Sequence, residues 1–319
     1  MNSEHTKAYA CYNKRDDIRK CSTSGGMFYL ISDYIVNNLH GYVCGAIFDH
    51  QFRVKHIIVD NSIDLKKLLG SKYPQSKLGD VFCQIKKLLQ EGKTVLFCGT
   101  PCQIEALVSF LGGKSDNLWL VDFVCHGVAS PQIWDNYLCC FYDKEKIVGI
   151  RFKDKIKGWK NWHVCVEYKQ RRIYTPGYMD MFMRSYLEKI NIRPSCYECV
   201  FKGYERISDF TLADCWGIGE KNQRLNDDKG LSALLVHSAK GMQLFDSLSN
   251  CINYEEYEPN QLMSANWACI SSPERNLSRD KFFSDYCSEN FKKVFLSYFR
   301  PSFKDKIKHI KRLFMGIDK

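Results

Sequence analysis

The sequence predicts an α/β fold with mixed sheets, flanking helices and a helical C-terminal tail. Between Leu78 and Tyr142, strand-like and helix-like segments alternate, a spacing typical of parallel strands that place ligands at their carboxyl ends. Residues 147–174 instead have the pattern of antiparallel strands. The 319 residues are 45% hydrophobic and 26% charged, which allows one large or two medium globular domains.

The N-terminal segment combines a short strand with a glycine-rich helix start. The strand covers residues 8–12, and Ser24, Gly25 and Gly26 precede a helix with one apolar face. Free amides at such a helix start suit a phosphate or pyrophosphate group. An ordinary N-cap followed by glycines is the alternative.

A predicted hairpin and a short loop follow this helix. Residues 41–48 and 54–59 have the composition of two strands, and a polar helix leads to the loop 70–76. The loop contains glycine, serine, an aromatic residue and Lys72, which together suit a cofactor contact. A plain connection between elements is the alternative.

Two strand ends in the alternating region carry reactive side chains. One strand is followed by Thr100 and Cys102, and the next ends at Cys125 and His126. Parallel strands bring their carboxyl ends to the same edge, so we expect both cysteines there. Cys102 also lies at a helix N-terminus, where the helix dipole favours the thiolate.

A pair of cysteines, Cys196-x-x-Cys199, follows Pro194. Proline ends the preceding helical pattern, so the pair is predicted to lie on a loop. Two thiolates three positions apart can bind one metal ion or one edge of an iron–sulfur cluster. The chain has 16 cysteines and starts without an export signal, which favours ligation over disulfides. A zinc site that adds Cys98 and Cys102 remains open.

The regions on either side of this pair are predicted from local pattern alone. We expect a helix over 178–190, a strand over 233–237, a helix over 240–248 and helical structure over 274–299. The antiparallel strands of residues 147–174 carry several lysines and tryptophans, which would be either a solvated sheet face or an anion-binding pocket.

The C-terminal tail, residues 300–319, is strongly basic. It holds seven Lys and Arg residues against two Asp, or half of the net charge of +10. Phe303, Ile307, Ile310 and Phe314 recur at helical spacing. A local positive field suggests an acidic partner or a peripheral membrane contact more than nucleic acid. A helix packed on its own domain is the alternative.

No run of 18 apolar residues occurs, and the first residues lack an apolar signal region, so we expect a cytoplasmic protein.

Several motifs together resemble the coenzyme F420 hydrogenase/dehydrogenase beta-subunit family. They are Ser-Thr-Ser-Gly-Gly-Met-Phe (22–28), Gly-Thr-Pro-Cys-Gln (99–103), Cys-His-Gly-Val (125–128), Cys-x-x-Cys-x-Phe-Lys-Gly (196–203), Arg206-x-x-Asp209 and Asp214-x-Trp-Gly (214–217). They occur in the family's order and extend over about residues 8–240. The resemblance implies a flavoprotein that binds FAD and a 4Fe–4S cluster.

The candidate cluster ligands are Cys102, Cys125, Cys196 and Cys199, since four thiolates satisfy one cubane. Cys98 is an alternative to Cys102. Cys215 is an alternative to Cys125, because the family's usual Gly-Asp-Phe-Trp-Gly here contains this extra cysteine.

The candidate flavin contacts are Ser24, Gly25 and Gly26, which would hold the FAD pyrophosphate through backbone amides, together with Lys72 and Thr100. His126 is the candidate catalytic proton donor, and a hydrogen-bonded structural histidine is the alternative.

The resemblance also implies an organisation and an activity. We expect a flavin-type domain over residues 1–77, a catalytic domain with the cluster-binding loop over 78–250 and a helical extension over 251–319. Many bacterial members carry an N-terminal ferredoxin module that this chain lacks. Electrons would therefore come from a separate ferredoxin-like protein or a reduced cofactor.

Electrons would pass through the cluster and the flavin to a small-molecule or glycan-precursor substrate, in surface polysaccharide biosynthesis. Oligomerisation is compatible with this reading. The competing hypothesis is a zinc-stabilised binding or scaffold protein without catalytic activity.

Overall fold

The computed structural model of the protein describes residues 6–218, 222, 224–225, 227–287 and 290–314. Gly219, Lys319 and the rest of the tail beyond residue 314 lie outside the described residues, as does the side chain of Phe314. Within the described ranges, no helix is both long enough and apolar enough to cross a membrane.

The strands belong to two sheets. They are β1 (Lys7–Asn13), β2 (Tyr42–Phe48), β3 (Val54–Val59), β4 (Val95–Cys98), β5 (Leu118–Phe123), β6 (Ile147–Asp154), β7 (His163–Tyr168), β8 (Arg172–Pro176), β9 (Phe210–Asp214), β10 (Ser232–Val236) and β11 (Ile252–Tyr257). One sheet has eight strands in the order β11-β1-β10-β9-β5-β4-β2-β3, and the other is the antiparallel set β6-β7-β8. The predicted α/β class with mixed sheets is confirmed.

The helices flank both sheets. They are α1 (Asp16–Cys21), α2 (Met27–Asn37), α3 (Ser62–Leu65), α4 (Val81–Gln90), α5 (Pro101–Leu111), α6 (Pro131–Phe141), α7 (Met181–Leu187), α8 (Ala239–Leu248), α9 (Pro259–Leu262), α10 (Ser278–Asp285), α11 (Phe291–Phe299) and α12 (Phe303–Phe314). The helical structure predicted over 274–299 is two helices, and the helix predicted over 178–190 is confined to α7.

Helices cover the large sheet on both faces. On one face, α2 and α8 bury residues such as Ile31 and Phe245 against the strands. On the other, α4 and α5 bury Ile85 and Leu107. The central strands β4 and β5 are largely buried and their sequences are mostly apolar, as expected of strands covered by helices on both faces.

A second core, centred on aromatic rings, joins the small sheet to the C-terminal helices. Trp134 of α6, Phe152 of β6 and Phe182 of α7 pack with Phe282 of α10 and Phe295 of α11. The C-terminal helices α10 and α11 are therefore part of a core.

The large sheet also crosses the predicted domain boundaries. Strand β11, which the sequence pattern did not predict, pairs with β1, and β2 pairs with β4. Residues from 1–77, 78–250 and 251–319 thus contribute strands to the same sheet.

Candidate functional site

Four parallel strands end at one edge of the large sheet. β2 pairs with β4, β4 with β5, and β5 with β9, all in parallel. We call the edge where these strands end the carboxyl edge. Because the chain enters a new loop or helix after each strand, side chains that are far apart in sequence meet there.

The structure brings the four predicted cluster ligands into one neighbourhood. Burial raises the pKa of the Cys125 thiol to about 12, and the nearby Cys196 and Cys102 sulfurs also raise it. Burial likewise raises the pKa of Cys196, with further contributions from Cys102 and Cys199. The four sulfurs come from three separate segments: the start of α5, the end of β5 and the loop after α7.

The turn after β5 packs directly against the cysteine pair. Gly127 has φ +108°, and a Cβ added there would lie 3.3 Å from the Cβ of Cys196. The Tyr186 hydroxyl of α7 donates to the Gly127 carbonyl at 3.0 Å. Glycine at this position thus permits both the left-handed backbone and the close approach of the two cysteine-bearing segments.

Residues 194–209, which we name the cysteine loop, are held by hydrogen bonds to several parts of the chain. The Lys202 ammonium donates to the carbonyls of Cys125 and Ala268, both at 2.8 Å. Arg206, which is part of the family motif, donates to the Phe201 carbonyl at 2.7 Å. The loop is therefore braced even though it contains almost no regular secondary structure.

Two cations lie near three of the four cysteines. Lys202 lies within electrostatic reach of Cys125 and Cys199, and Arg193 lies near Cys196. Lys202 lowers the pKa of Cys125 and Arg193 lowers that of Cys196, in both cases against the larger effect of burial. Thiolates gathered around a cluster carry net negative charge, so this setting and the four-sulfur donor set fit a 4Fe–4S cluster.

The two alternative ligands, Cys98 and Cys215, lie in other surroundings. Cys98 lies near Cys44, Asp122 and Lys72. Cys215 is 1% exposed and packs in a hydrophobic cluster on the β10 side of the sheet, where it lies near Cys11. The geometry thus favours Cys102 over Cys98 and Cys125 over Cys215.

The zinc alternative needs Cys98 and Cys102 beside Cys196 and Cys199. Among the described residues, no three His, Cys, Asp or Glu side chains are placed so that they could hold one metal ion. Cys98 instead lies near Cys44, Asp122 and Lys72. A cluster differs because each thiolate binds its own iron at a separate corner, so its sulfurs lie further apart.

The three segments predicted to contact the flavin adjoin one another. Thr23 and Ser71 are joined through their hydroxyls at 3.0 Å and by the Ser71 amide at 2.9 Å. Gln103 donates to the Ser76 hydroxyl at 3.0 Å, which joins the loop 70–76 to the start of α5. The same loop also pairs with the chain after His126, through two backbone hydrogen bonds of 2.9 Å at Ala129.

The packing and backbone conformation of the protein itself require the glycines before α2. A Cβ on Gly25 would lie 2.5 Å from the Cys11 carbonyl oxygen, and its amide already donates to the Ser232 hydroxyl at 2.9 Å. Gly26 has φ +86°, so any larger residue there is strained. The close approach at Gly25 is thus made to the protein's own strands, and its amide is engaged.

Lys72 and Thr100 occupy different environments. The Lys72 ammonium donates to the carbonyls of Leu68 and Leu69 at 2.9 and 2.8 Å, and burial lowers its pKa to about 7. Thr100 directly precedes α5, and its amide donates to the Gln103 side chain at 3.0 Å. A bound anion near Lys72 would raise its pKa and stabilise the ammonium.

A buried ion pair at the carboxyl edge was not predicted. Lys153 of the small sheet contacts the Asp214 carboxylate, which also accepts from Ser24. Burial alone would lower the pKa of Lys153, but Asp214 and Tyr73 together outweigh that effect and raise it. The Lys153 ammonium lies 5.3 Å from the ring centroid of Trp216. The sequence pattern of residues 147–174 had drawn attention to their lysines, and one of these, Lys153, lies at the carboxyl edge.

His126 lies among these cations. Burial, with Lys153 and Lys202 nearby, lowers the pKa of His126 to about 4. Its ring meets the Trp267 ring edge-on, with centroids 5.2 Å apart. The imidazole is therefore neutral near pH 7, and it offers a hydrogen-bonding group more than a stored proton.

Comparisons with known proteins agree with this architecture. The family described as the C terminus of the coenzyme F420 hydrogenase/dehydrogenase beta subunit matches residues 92–261, more than half of the chain. A chain of the F420-reducing [NiFe] hydrogenase complex from Methanosarcina barkeri, studied by xenon derivatisation, has a similar fold. The TM-score is 0.51 at 12% identity, over 91% of this chain and 89% of that one.

A search of the curated proteins found no match. The family match includes β4, β5, β9, the cysteine loop and all four candidate cluster ligands, with their motifs in the expected order. The chain belongs to the coenzyme F420 hydrogenase/dehydrogenase beta-subunit family and is an oxidoreductase of that type.

Proposed function

We propose that the protein is an iron–sulfur flavoprotein oxidoreductase. It takes electrons from a separate ferredoxin-like protein or a reduced cofactor and delivers them to a small-molecule or glycan-precursor substrate. The observation that carries this proposal is the gathering of Cys102, Cys125, Cys196 and Cys199 from three segments beside the carboxyl edge. A hydrophobic core alone does not require four thiols gathered beside two cations.

When bound, the cluster and FAD would supply one-electron and two-electron redox chemistry. The four cysteines would hold the cluster, and Lys202 and Arg193 would offset its charge. The cysteine loop keeps these ligands in place because Lys202 and Arg206 brace its backbone. His126 would donate or accept a hydrogen bond as a neutral imidazole.

FAD would be held where the three predicted segments adjoin. Lys72 is suited to an anionic group because its ammonium is buried and its pKa is lowered. Ser24 and Gly26 remain candidates at the start of α2, and Thr100 at the start of α5. Since the Gly25 amide is engaged by Ser232, we assign Gly25 a packing role beside the cofactor.

Anaerobic purification with iron, sulfide and flavin analysis tests the proposal. We expect Cys196→Ala and Cys199→Ala to lose iron and acid-labile sulfide while far-ultraviolet circular dichroism stays unchanged, because both cysteines lie outside the α-helices and strands. Cys83→Ala, on the exposed side of α4, is the matched control and should keep the parent's iron content. Zinc in place of iron in the parent, or full iron in both loop variants, would contradict the cluster assignment.

In the same experiment, a second pair of variants tests the flavin assignment. Lys72→Met should lower the FAD retained per chain, while Lys77→Met, an exposed lysine just after the same loop, should not. The readout is the flavin absorbance of denatured protein. Equal retention by both variants would remove Lys72 from the flavin site.

A further inference from the structure

The last helix, α12, exposes its apolar residues. Phe303 is 77% exposed, Ile307 37% and Ile310 50%. These residues share one face because they are three or four positions apart. A helix that packs on its own domain would bury such a stripe. These three side chains are thus exposed, whereas packing through the apolar stripe would bury them.

The opposite face of α12 contacts the rest of the protein. The Arg184 guanidinium donates to Asp305 at 3.3 Å, and the Tyr178 hydroxyl lies 2.8 Å from His309 Nδ1. The Arg312 guanidinium lies 5.2 Å from the ring centroid of Tyr178. Asp305, His309 and Arg312 again share one face by their spacing. The helix is thus attached through polar contacts and presents its apolar stripe outward.

Lysines border the outward stripe on both sides. Lys306 lies on one flank, and Lys304, Lys308 and Lys311 lie on the other, all of them exposed. The acidic residue of the helix, Asp305, accepts hydrogen bonds from Arg184 and from the Ser302 amide and hydroxyl. The outward surface of α12 is consequently apolar along its centre and positive along its edges.

We propose that α12 docks on an anionic lipid surface. A helix that lies in a bilayer interface places its apolar face among the acyl chains and directs flanking lysines to the headgroups. An anionic bilayer provides negative charge on both sides of the stripe at once. A protein partner would need an apolar groove with carboxylates along both walls. The polar attachment to Arg184 and Tyr178 holds the helix with the required face outward.

Vesicle co-sedimentation of the full chain tests this surface. We expect binding to phosphatidylcholine vesicles that contain phosphatidylglycerol and none to phosphatidylcholine alone. Each basic residue near an anionic surface contributes roughly a fivefold change in binding, so Lys304→Glu combined with Lys308→Glu should lower binding more than about tenfold. Binding should also weaken as salt rises, because exposed charges are screened over about 8 Å at physiological ionic strength.

Two further variant pairs separate this surface from general positive charge. Lys66→Glu with Lys87→Glu changes the net charge equally at exposed sites outside α12 and should keep the binding. Ile307→Gln with Ile310→Gln should abolish binding without lowering the unfolding temperature, because both side chains face outward.

Three outcomes would overturn the proposal. The first is failure of the full chain to bind anionic vesicles. The second is equal loss of binding in the two lysine pairs. The third is a lower unfolding temperature in the isoleucine pair, which would mean that the stripe packs on the protein in solution.

Discussion

Asp180 is a buried carboxyl group at the start of α7. One of its oxygens accepts from the Met183 amide at 2.9 Å, and the other accepts from the Tyr137 hydroxyl at 2.9 Å. Burial nevertheless raises the pKa of Asp180 to about 6, above the ordinary value of 3.8. The folded protein therefore binds this proton more tightly than the unfolded chain does, and the carboxylate costs stability once it ionises.

The sign of the pH dependence follows from this shift. The stability tied to Asp180 is fully present below about pH 4 and is lost as the pH rises through about 6. We expect Asp180→Asn to keep the cap and remove this loss. The free energy of unfolding of the variant relative to the parent should increase by up to about 3 kcal/mol over that interval.

Urea unfolding at several pH values measures the difference. Asp285→Asn is the matched control, since the exposed Asp285 also accepts from a tyrosine hydroxyl, that of Tyr298, at 2.9 Å. A difference between Asp180→Asn and the parent that does not change with pH would contradict the assignment.

At the scale of elements, Asp209, which directly precedes β9, joins β5 to the start of α8. It lies three positions after Arg206 and is 2% exposed. Its carboxylate accepts from the Leu120 amide of β5 at 2.9 Å and from the Ser238 hydroxyl before α8 at 2.6 Å. The conspicuous motif Arg206-x-x-Asp209 thus braces the elements around the site.

Asp209→Ala should destabilise the protein by about 3 kcal/mol, because it leaves a buried amide and a hydroxyl without their charged acceptor. The expected result is a lower urea midpoint, with a smaller decrease for Asp209→Asn. Asp246→Ala, on the exposed side of α8, should change the midpoint little. A midpoint for Asp209→Ala equal to that of the control would show that this brace contributes nothing.

At the scale of the whole molecule, two C-terminal helices differ in how they are attached. α11 buries Phe291, Phe295 and Phe299 in the aromatic core. α12 is attached through polar contacts and exposes its apolar residues. The C-terminal region therefore contains one helix that the core requires and one that it does not.

Two truncations test this distinction. Removing residues 303–319 should leave the unfolding temperature and the cofactor content close to those of the parent. Removing residues 290–319 should prevent folding, because each buried phenylalanine contributes about 3–5 kcal/mol and the total stability of a domain is about 5–15 kcal/mol. A stable, soluble product of the longer deletion would contradict the assignment of α11 to the core.

The sequence by itself determined the local elements and the fold class. Alternation of strands and helices between Leu78 and Tyr142 identified β4, α5, β5 and α6, because burial on both faces requires long apolar runs. The start of α6 was also predicted from the sequence, since Ser130 caps this helix and Pro131 is its first residue. Strand β11 was not predicted because its alternating polar residues resemble those of an exposed segment.

The tertiary structure decided which of the chemically reactive residues meet. Spacing along the chain could not separate Cys102 from Cys98 or Cys125 from Cys215, because a few residues of sequence do not specify on which side of a strand end each thiol emerges. The buried pair of Lys153 and Asp214 joins two sheets. The sequence could not predict the orientation of α12 either, because an amphipathic pattern specifies two faces but not which of them turns inward. Contacts between distant segments decide these points, and they exist only once the chain has folded.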